Sequence, residues 1–278
     1  MLWKDKLKDK ENIIRDNLKN IGVSSAHIDV AMKTLNDGID NITIPRIAFI
    51  GFTGVGKSTT LNALFNAGQQ TSDVRACTQK ETPIIGDVSK YTGSKGSIIV
   101  YDMPGLGEDL KSDEEHFKTY KRVLPIVDVA IWTFHTGDRA MTPMQNALTR
   151  LNSELGNEFQ KKLMFAINKA DAIAPGETAW NSRTNGPSRE QSQNIKELEC
   201  YIKEKIQQVI PRWNGELVTY SAKKRYRLEL LMSAMVNTMP SERKWVLDDI
   251  ADVADPRELM DAKVKEFIED KRRCEWKK

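Results

Sequence analysis

The chain has 278 residues, 40% of them hydrophobic and 29% charged, with 16 Gly and 10 Pro; this makeup excludes disordered, collagen-like and low-complexity proteins and suits one large folded domain or one domain with appendages. Lys plus Arg total 42 against 39 Asp plus Glu, a net +3 that is too slight to announce a nucleic-acid or membrane surface by itself. The cysteines Cys77, Cys200 and Cys274 lie far apart and offer neither a CxxC metal pair nor a disulfide framework, and charges from Lys4 to Glu11 stand where a secretory signal would be apolar, so the expected location is cytoplasmic.

Residues 1–44 read as a helical extension. Trp3, Leu7, Ile14, Leu18 and Ile21 recur at helical spacing, Gly22 with Ser24 or Ser25 breaks the pattern, and Ile28, Ala31, Met32 and Leu35 repeat it up to a stop at Gly38. After Pro45 the period changes to a short apolar run, Ile47 to Ile50, then a glycine-rich turn, then a helical stretch from Ser58 to Asn66 ended by Gly68. A strand from Thr82 to Val88 and apolar runs at Ile98 to Tyr101, Val129 to Phe134, Leu163 to Ile167 and Leu217 to Tyr220 alternate with helical segments. This is the rhythm of an α/β protein, a mostly parallel sheet with helices on both faces. Ser112 with Glu115, Thr142 with Pro143 and Gln145, and Ser188 with Gln191 fit the capping box, while Ala172 to Pro187 is polar and turn-rich and reads as an extended surface loop. From residue 239 to 278 no strand pattern returns, and two more helices are expected, so the core spans 45–238 between two helical extensions.

Chemistry concentrates in four motifs. Gly51 to Ser58 (GFTGVGKS) fits the phosphate-binding pattern GxxxxGK[ST] between a buried strand and a helix start. Its glycines Gly51, Gly54 and Gly56, with Thr53, Val55 and Thr59 around them, let backbone N–H groups face phosphates; Lys57 reaches the terminal pair and the Ser58 hydroxyl binds Mg²⁺. Asp102-Met103-Pro104-Gly105 follows a buried strand, which puts the Asp102 carboxylate at the edge where a Mg²⁺ shell lies and leaves the Gly105 N–H to meet a γ-phosphate. Asn168-Lys169-Ala170-Asp171 ends another strand. A carboxylate only accepts, so Asp171 suits the paired N1–H and exocyclic amine of guanine, whereas adenine presents no such pair; GTP is therefore expected over ATP. Ser221-Ala222-Lys223 follows the next strand and offers a backbone N–H to the guanine O6.

With these motifs in this order, the stretch from Arg46 to Thr238 resembles the GTPases of the Era and TrmE branch. The runs from Asp128 to Trp132, Gly137 to Ala140 and Asn168 to Pro175 look most like a poorly characterised prophage-associated bacterial subgroup of that branch. The resemblance implies a Ras-like sheet and a protein that cycles between GTP and GDP with Mg²⁺, its switch loops gating a protein partner or a homodimer. Thr78, with Thr82 as competitor, stands where the switch threonine completes the Mg²⁺ shell, and Gly54 stands where potassium-activated TrmE relatives carry an asparagine, so no structural potassium is expected.

Leu106 follows Gly105 where Ras-type enzymes place the glutamine that orients water, so hydrolysis must be slow or otherwise assisted. Arg75, three residues before Thr78 as the cis arginine stands in heterotrimeric G-protein α subunits, is a candidate substitute, and Glu114 is a weaker one. The rival reading is a guanine-nucleotide-binding interaction module with negligible hydrolysis. Lysines beside Trp3 and Leu7 raise membrane contact, diluted by Asp5, Asp9 and Glu11. Ribosome or RNA binding through an appended domain has no GxxG clamp after the core to support it. His27, His116 and His135 read as packing or surface residues.

Overall fold

In a computed structural model, residues 3–40, 44–65, 82–88, 91, 97–137 and 141–245 are described. Two helices open the chain, α1 (Trp3–Asn20) and α2 (Ser25–Asp40), joined by a tight turn in which Gly22 takes φ +85° and Val23 N–H returns to the Leu18 carbonyl, 3.0 Å away. Arg15 and Asp29 pair across the turn at 2.7 Å. The helix α2 continues through Gly38 rather than stopping there, since an interior glycine costs a helix only about 1 kcal/mol relative to alanine. Ile28 and Met32 are buried, whereas Ile14 and Ile21 of the first stripe are 41% and 76% exposed.

The body is a six-stranded sheet formed by β1 (Arg46–Gly51), β2 (Thr82–Asp87), β3 (Ser97–Asp102), β4 (Val129–His135), β5 (Leu163–Asn168) and β6 (Leu217–Thr219), in the order β2-β3-β1-β4-β5-β6. All pairings are parallel except β2 with β3. Because side chains alternate along a strand, each strand feeds two cores. Ala48, Ile50, Trp132, Phe134 and Phe165 face one layer, packed under α4 (Leu110–Val123), α5 (Thr142–Lys161) and α6 (Arg189–Gln207). Ile47, Phe49, Ile131 and Met164 face the other, under α3 (Lys57–Phe65) and α7 (Leu228–Thr238). A short helix α8 (Ser241–Trp245) follows, with Arg243 held on Asp128 at 3.0 Å. Burial on both faces explains why these strands read as continuous apolar runs. Among the described residues no helix is long and apolar enough to cross a membrane.

Two of the three expected capping boxes are corrected. Asp109, not Ser112, caps α4: its carboxylate accepts the N–H groups of Lys111 (2.9 Å) and Ser112 (3.0 Å), and Glu115 pairs with Lys118 instead of reaching back. The helix α5 starts at Thr142 behind Met141, whose side chain has no oxygen to cap with, and Gln145 turns to the Lys205 carbonyl and the Gln208 side chain. The third box stands: Ser188 and Gln191 cap α6 reciprocally.

The segment after β5 is more than a surface loop. Gln191, fully buried, also donates to the carbonyls of Ile173 (3.2 Å) and Gly176 (3.0 Å), and Trp180 packs on Ala170, Ile173 and Ile195 with its ring edge-on to Tyr226 at 5.1 Å. Gln191→Ala strands these buried carbonyls as well as the cap, and is expected to lower the free energy of unfolding by about 2 to 3 kcal/mol in urea titrations.

Candidate nucleotide site

Every motif emerges at the carboxyl edge of the sheet. The turn after β1 is made by glycines in conformations closed to other residues, Gly51 at φ +130° and Gly56 at φ +94°. At Gly56 space is the stricter demand, since a Cβ there would lie against the Asn168 amide. The backbone beyond it enters α3 at Lys57, so the free N–H groups of a helix start face the mouth of the turn.

Lys57 folds back over this loop and donates to the carbonyls of Gly51 (3.2 Å) and Phe52 (2.9 Å). Burial lowers its ammonium to about 8, opposed by the charges of Asp102 and Glu108. It is a desolvated cation held where a polyphosphate would restore its charge balance. Beside it the Ser58 hydroxyl donates to Asp102 Oδ2 at 2.7 Å, which joins two hard oxygen donors from β3 and α3 at one point. Oxygen donors of this kind suit Mg²⁺, and the residues fit that ion. Among the described residues no cluster of three or more His, Cys, Asp or Glu side chains offers a rival metal site.

The turn after β3 crosses the start of the glycine loop. Thr53 N–H donates to the Leu106 carbonyl (2.9 Å), and Leu106 N–H donates to the Gly51 carbonyl (3.2 Å). Gly105 lies so close to Thr53 that a Cβ would collide with its hydroxyl oxygen and backbone. Leu106 turns its side chain into the apolar core, 1% exposed. Glu114 stands on the outer face of α4, in a two-pronged pair with Arg150 at 2.6 and 2.8 Å that holds its carboxyl below the usual range.

At the other end, Asn168, Lys169, Asp171, Ser221, Ala222 and Lys223 line a pocket of about 420 Å³ with Gly56, Thr59 and Glu177. Asn168 ties the site together: its amide donates to the Val55 carbonyl (3.0 Å) and its oxygen accepts from the N–H groups of Lys169 (2.8 Å) and Ala222 (3.1 Å). Lys169, at φ +63°, reaches the Gly54 carbonyl at 3.0 Å. Asp171 is buried and accepts from the Ser221 hydroxyl, which in turn accepts from Lys224 N–H. The structure thus brings the four motifs together: residues of the glycine loop and of the segments 168–171 and 221–223 line the pocket, and the turn after β3 is bonded to the glycine loop beside it. Thr78 and Arg75 fall outside the described residues, as do Cys77 and Cys274.

Sequence reading missed three contributors. Glu177 meets Lys223 through both carboxylate oxygens at 2.8 Å at the pocket rim. Glu108 accepts from the Thr53 hydroxyl at 3.1 Å. Tyr120 bonds to both phosphate-side loops, and its buried register with Phe117 and Val123 was the available signal, because a tyrosine on a buried face needs a partner for its hydroxyl.

Residues 46–169 match the family described as 50S ribosome-binding GTPase. The chain is 30% identical over 200 residues to the uncharacterised protein YfjP of Escherichia coli K12 and 31% identical over 203 residues to the uncharacterised protein YkfA of the same organism, in each case over 71% of this chain and 63% of the relative. It therefore spans less than two thirds of these relatives' length. A crystal structure of Era from Aquifex aeolicus, bound to GDP and aluminium fluoride, superimposes with a TM-score of 0.53 at 22% identity over 72% of this chain and 58% of that one. The fold is that of the Ras-like P-loop GTPases.

Asn168→Ala removes a buried side chain that bonds to the neighbouring Lys169 N–H and to two distant backbone segments, at Val55 and Ala222. It is expected to cost about 3 kcal/mol in stability and to weaken GTP and GDP binding alike, measurable by denaturant unfolding and nucleotide titration on one preparation.

Proposed function

We propose that this P-loop GTPase binds GTP and GDP in the site just described, hydrolyses GTP to GDP and phosphate, and gates a partner interaction through the loops around Thr78 and Gly105. The observation that supports it best is that the Asn168 amide ties a glycine loop carrying a desolvated lysine and a Ser–Asp oxygen pair to a pocket that holds a buried acceptor-only carboxylate. The separation of roles follows from chemistry. Lys57 and the N–H groups of the glycine loop bind the phosphates, while Asp171 takes the N1–H and exocyclic amine of guanine and the Ala222 segment meets its O6. Lys169 and Lys223 flank the base with their aliphatic stems.

Ser58 and Asp102, joined by Thr78, are the residues that would hold Mg²⁺; when bound, the ion offsets the charge on the β- and γ-phosphate oxygens. Gly105 N–H contacts the γ-phosphate. Leu106, buried in the core, does not orient water, and Arg75 supplies the missing charge near the phosphates. The residues 45–238 form the GTPase domain, flanked by helical extensions 1–44 and 239–278; the match of residues 46–169 to the 50S ribosome-binding GTPase family supports the Era-like placement, and the likeness to YfjP and YkfA a bacterial one. The partner is a protein or a second copy of the chain in the cytoplasm.

Buried Leu106 also favours a second reading, a guanine-nucleotide-binding module that hardly turns over. Phosphate release from purified protein decides between the two: steady release from GTP and none from ATP supports the hydrolase, whereas tight GTP binding without release supports the module. Asp171→Asn exchanges an acceptor for an amide that presents a donor, and is expected to weaken GTP at least about 100-fold while gaining xanthosine triphosphate. Unchanged GTP binding in that variant removes Asp171 from base reading. Arg75→Ala is expected to lower single-turnover hydrolysis at least about 100-fold with GTP affinity nearly unchanged, because the arginine acts mainly on the transition state.

A further inference from the structure

Tyr120 sits on α4, its side chain fully buried between the two loops that meet the phosphates. Its hydroxyl donates to the Pro104 carbonyl at 2.8 Å and accepts from the Gly51 N–H at 3.3 Å. One oxygen therefore joins the first residue of the glycine loop to the turn after β3. Burial raises the pKa of the phenol, so the group stays protonated and remains a donor.

The Pro104 carbonyl and the Gly105 N–H are the two ends of one peptide unit. That unit is planar and trans, so its C=O and N–H point in opposite directions. A donor that grips the carbonyl from the core side turns the N–H to the other side, toward the mouth of the glycine loop, where Gly105 abuts Thr53. The adjoining residue is held too, since Leu106 exchanges hydrogen bonds with Gly51 and Thr53. Further along, the Asp113 carboxylate accepts from Gly107 N–H at 2.8 Å, so α4 anchors the turn on both sides of Leu106.

We propose that Tyr120 is a positioning residue that aims the Gly105 N–H at the γ-phosphate and thereby sets the discrimination between GTP and GDP. The proposal rests on the guanine-nucleotide reading above and adds to it a group that touches no nucleotide. Its signature is selective, because GDP has no γ-phosphate for that N–H to meet. A merely structural tyrosine would affect both nucleotides equally.

The test is Tyr120→Phe, which keeps the ring and deletes the hydroxyl, with fluorescent GDP and the slowly hydrolysed analogue GTPγS titrated in Mg²⁺ into both proteins. Expected is a loss of at least about 10-fold in GTPγS affinity with GDP affinity within about threefold of the parent. Equal losses for both nucleotides, or an unchanged ratio, overturn the proposal. Parent protein that binds neither nucleotide overturns the guanine-nucleotide reading itself, and the proposal with it. Should Tyr120→Phe not fold, 3-fluorotyrosine at position 120 keeps the volume and strengthens the donor. It is then expected to shift the GTPγS:GDP affinity ratio in the opposite direction by at least about twofold, and an unshifted ratio again overturns the role.

Discussion

A buried amide holds the site in one piece. Asn168, at the end of β5, reaches across to the Val55 carbonyl of the glycine loop and back to the N–H groups of Lys169 and Ala222, so three segments distant in sequence share one side chain. Such a bridge demands a neighbour without a Cβ, and Gly56 supplies it. The glycine loop and the segments 168–171 and 221–223, proposed to meet phosphates and base, are thereby fixed relative to each other by bonds in a water-poor interior, where leaving any of them unmade is costly. Everything proposed about nucleotide selection depends on that rigid spacing.

The proposed phosphate end is built with a conflict that a nucleotide would resolve. Lys57 is desolvated, its charge disfavoured by burial, and it bonds to the Gly51 and Phe52 carbonyls of its own loop. A triphosphate would give it the opposite charge it lacks. Around it the turn after β3 is clamped from two directions, by Leu106 to the glycine loop and by Tyr120 to the Pro104 carbonyl. The consequence for the proposed chemistry is that Leu106, with its side chain in the core, would not orient water, so hydrolysis beyond a slow rate would draw on another group.

Much of this was legible in the residues. The strands stood out because burial on both faces makes them continuous apolar runs, and the glycine loop declared itself by falling between a strand and a helix. The place of the Asp171 motif could be read because it follows the apolar run that forms β5. What escaped depends on three-dimensional neighbours. Asp109 and Ser112 compete for the same helix start three residues apart, and Gln145 leaves its expected capping role for partners on α6. Tyr120 and Glu177 act through contacts 16 and 46 residues away in the chain, which no local pattern encodes. The segment 172–187 looked like a loop because its composition is polar, yet one buried glutamine and one tryptophan pin it beside the pocket.

The central claim is that the pocket selects guanine by the Asp171 carboxylate. Calorimetric titration of the parent protein with GDP and with ADP, in Mg²⁺, tests it most directly. The account predicts at least about 100-fold tighter binding of GDP, the value of two charge-assisted hydrogen bonds that adenine cannot make. Equal affinity for the two, or a preference for ADP, would contradict it.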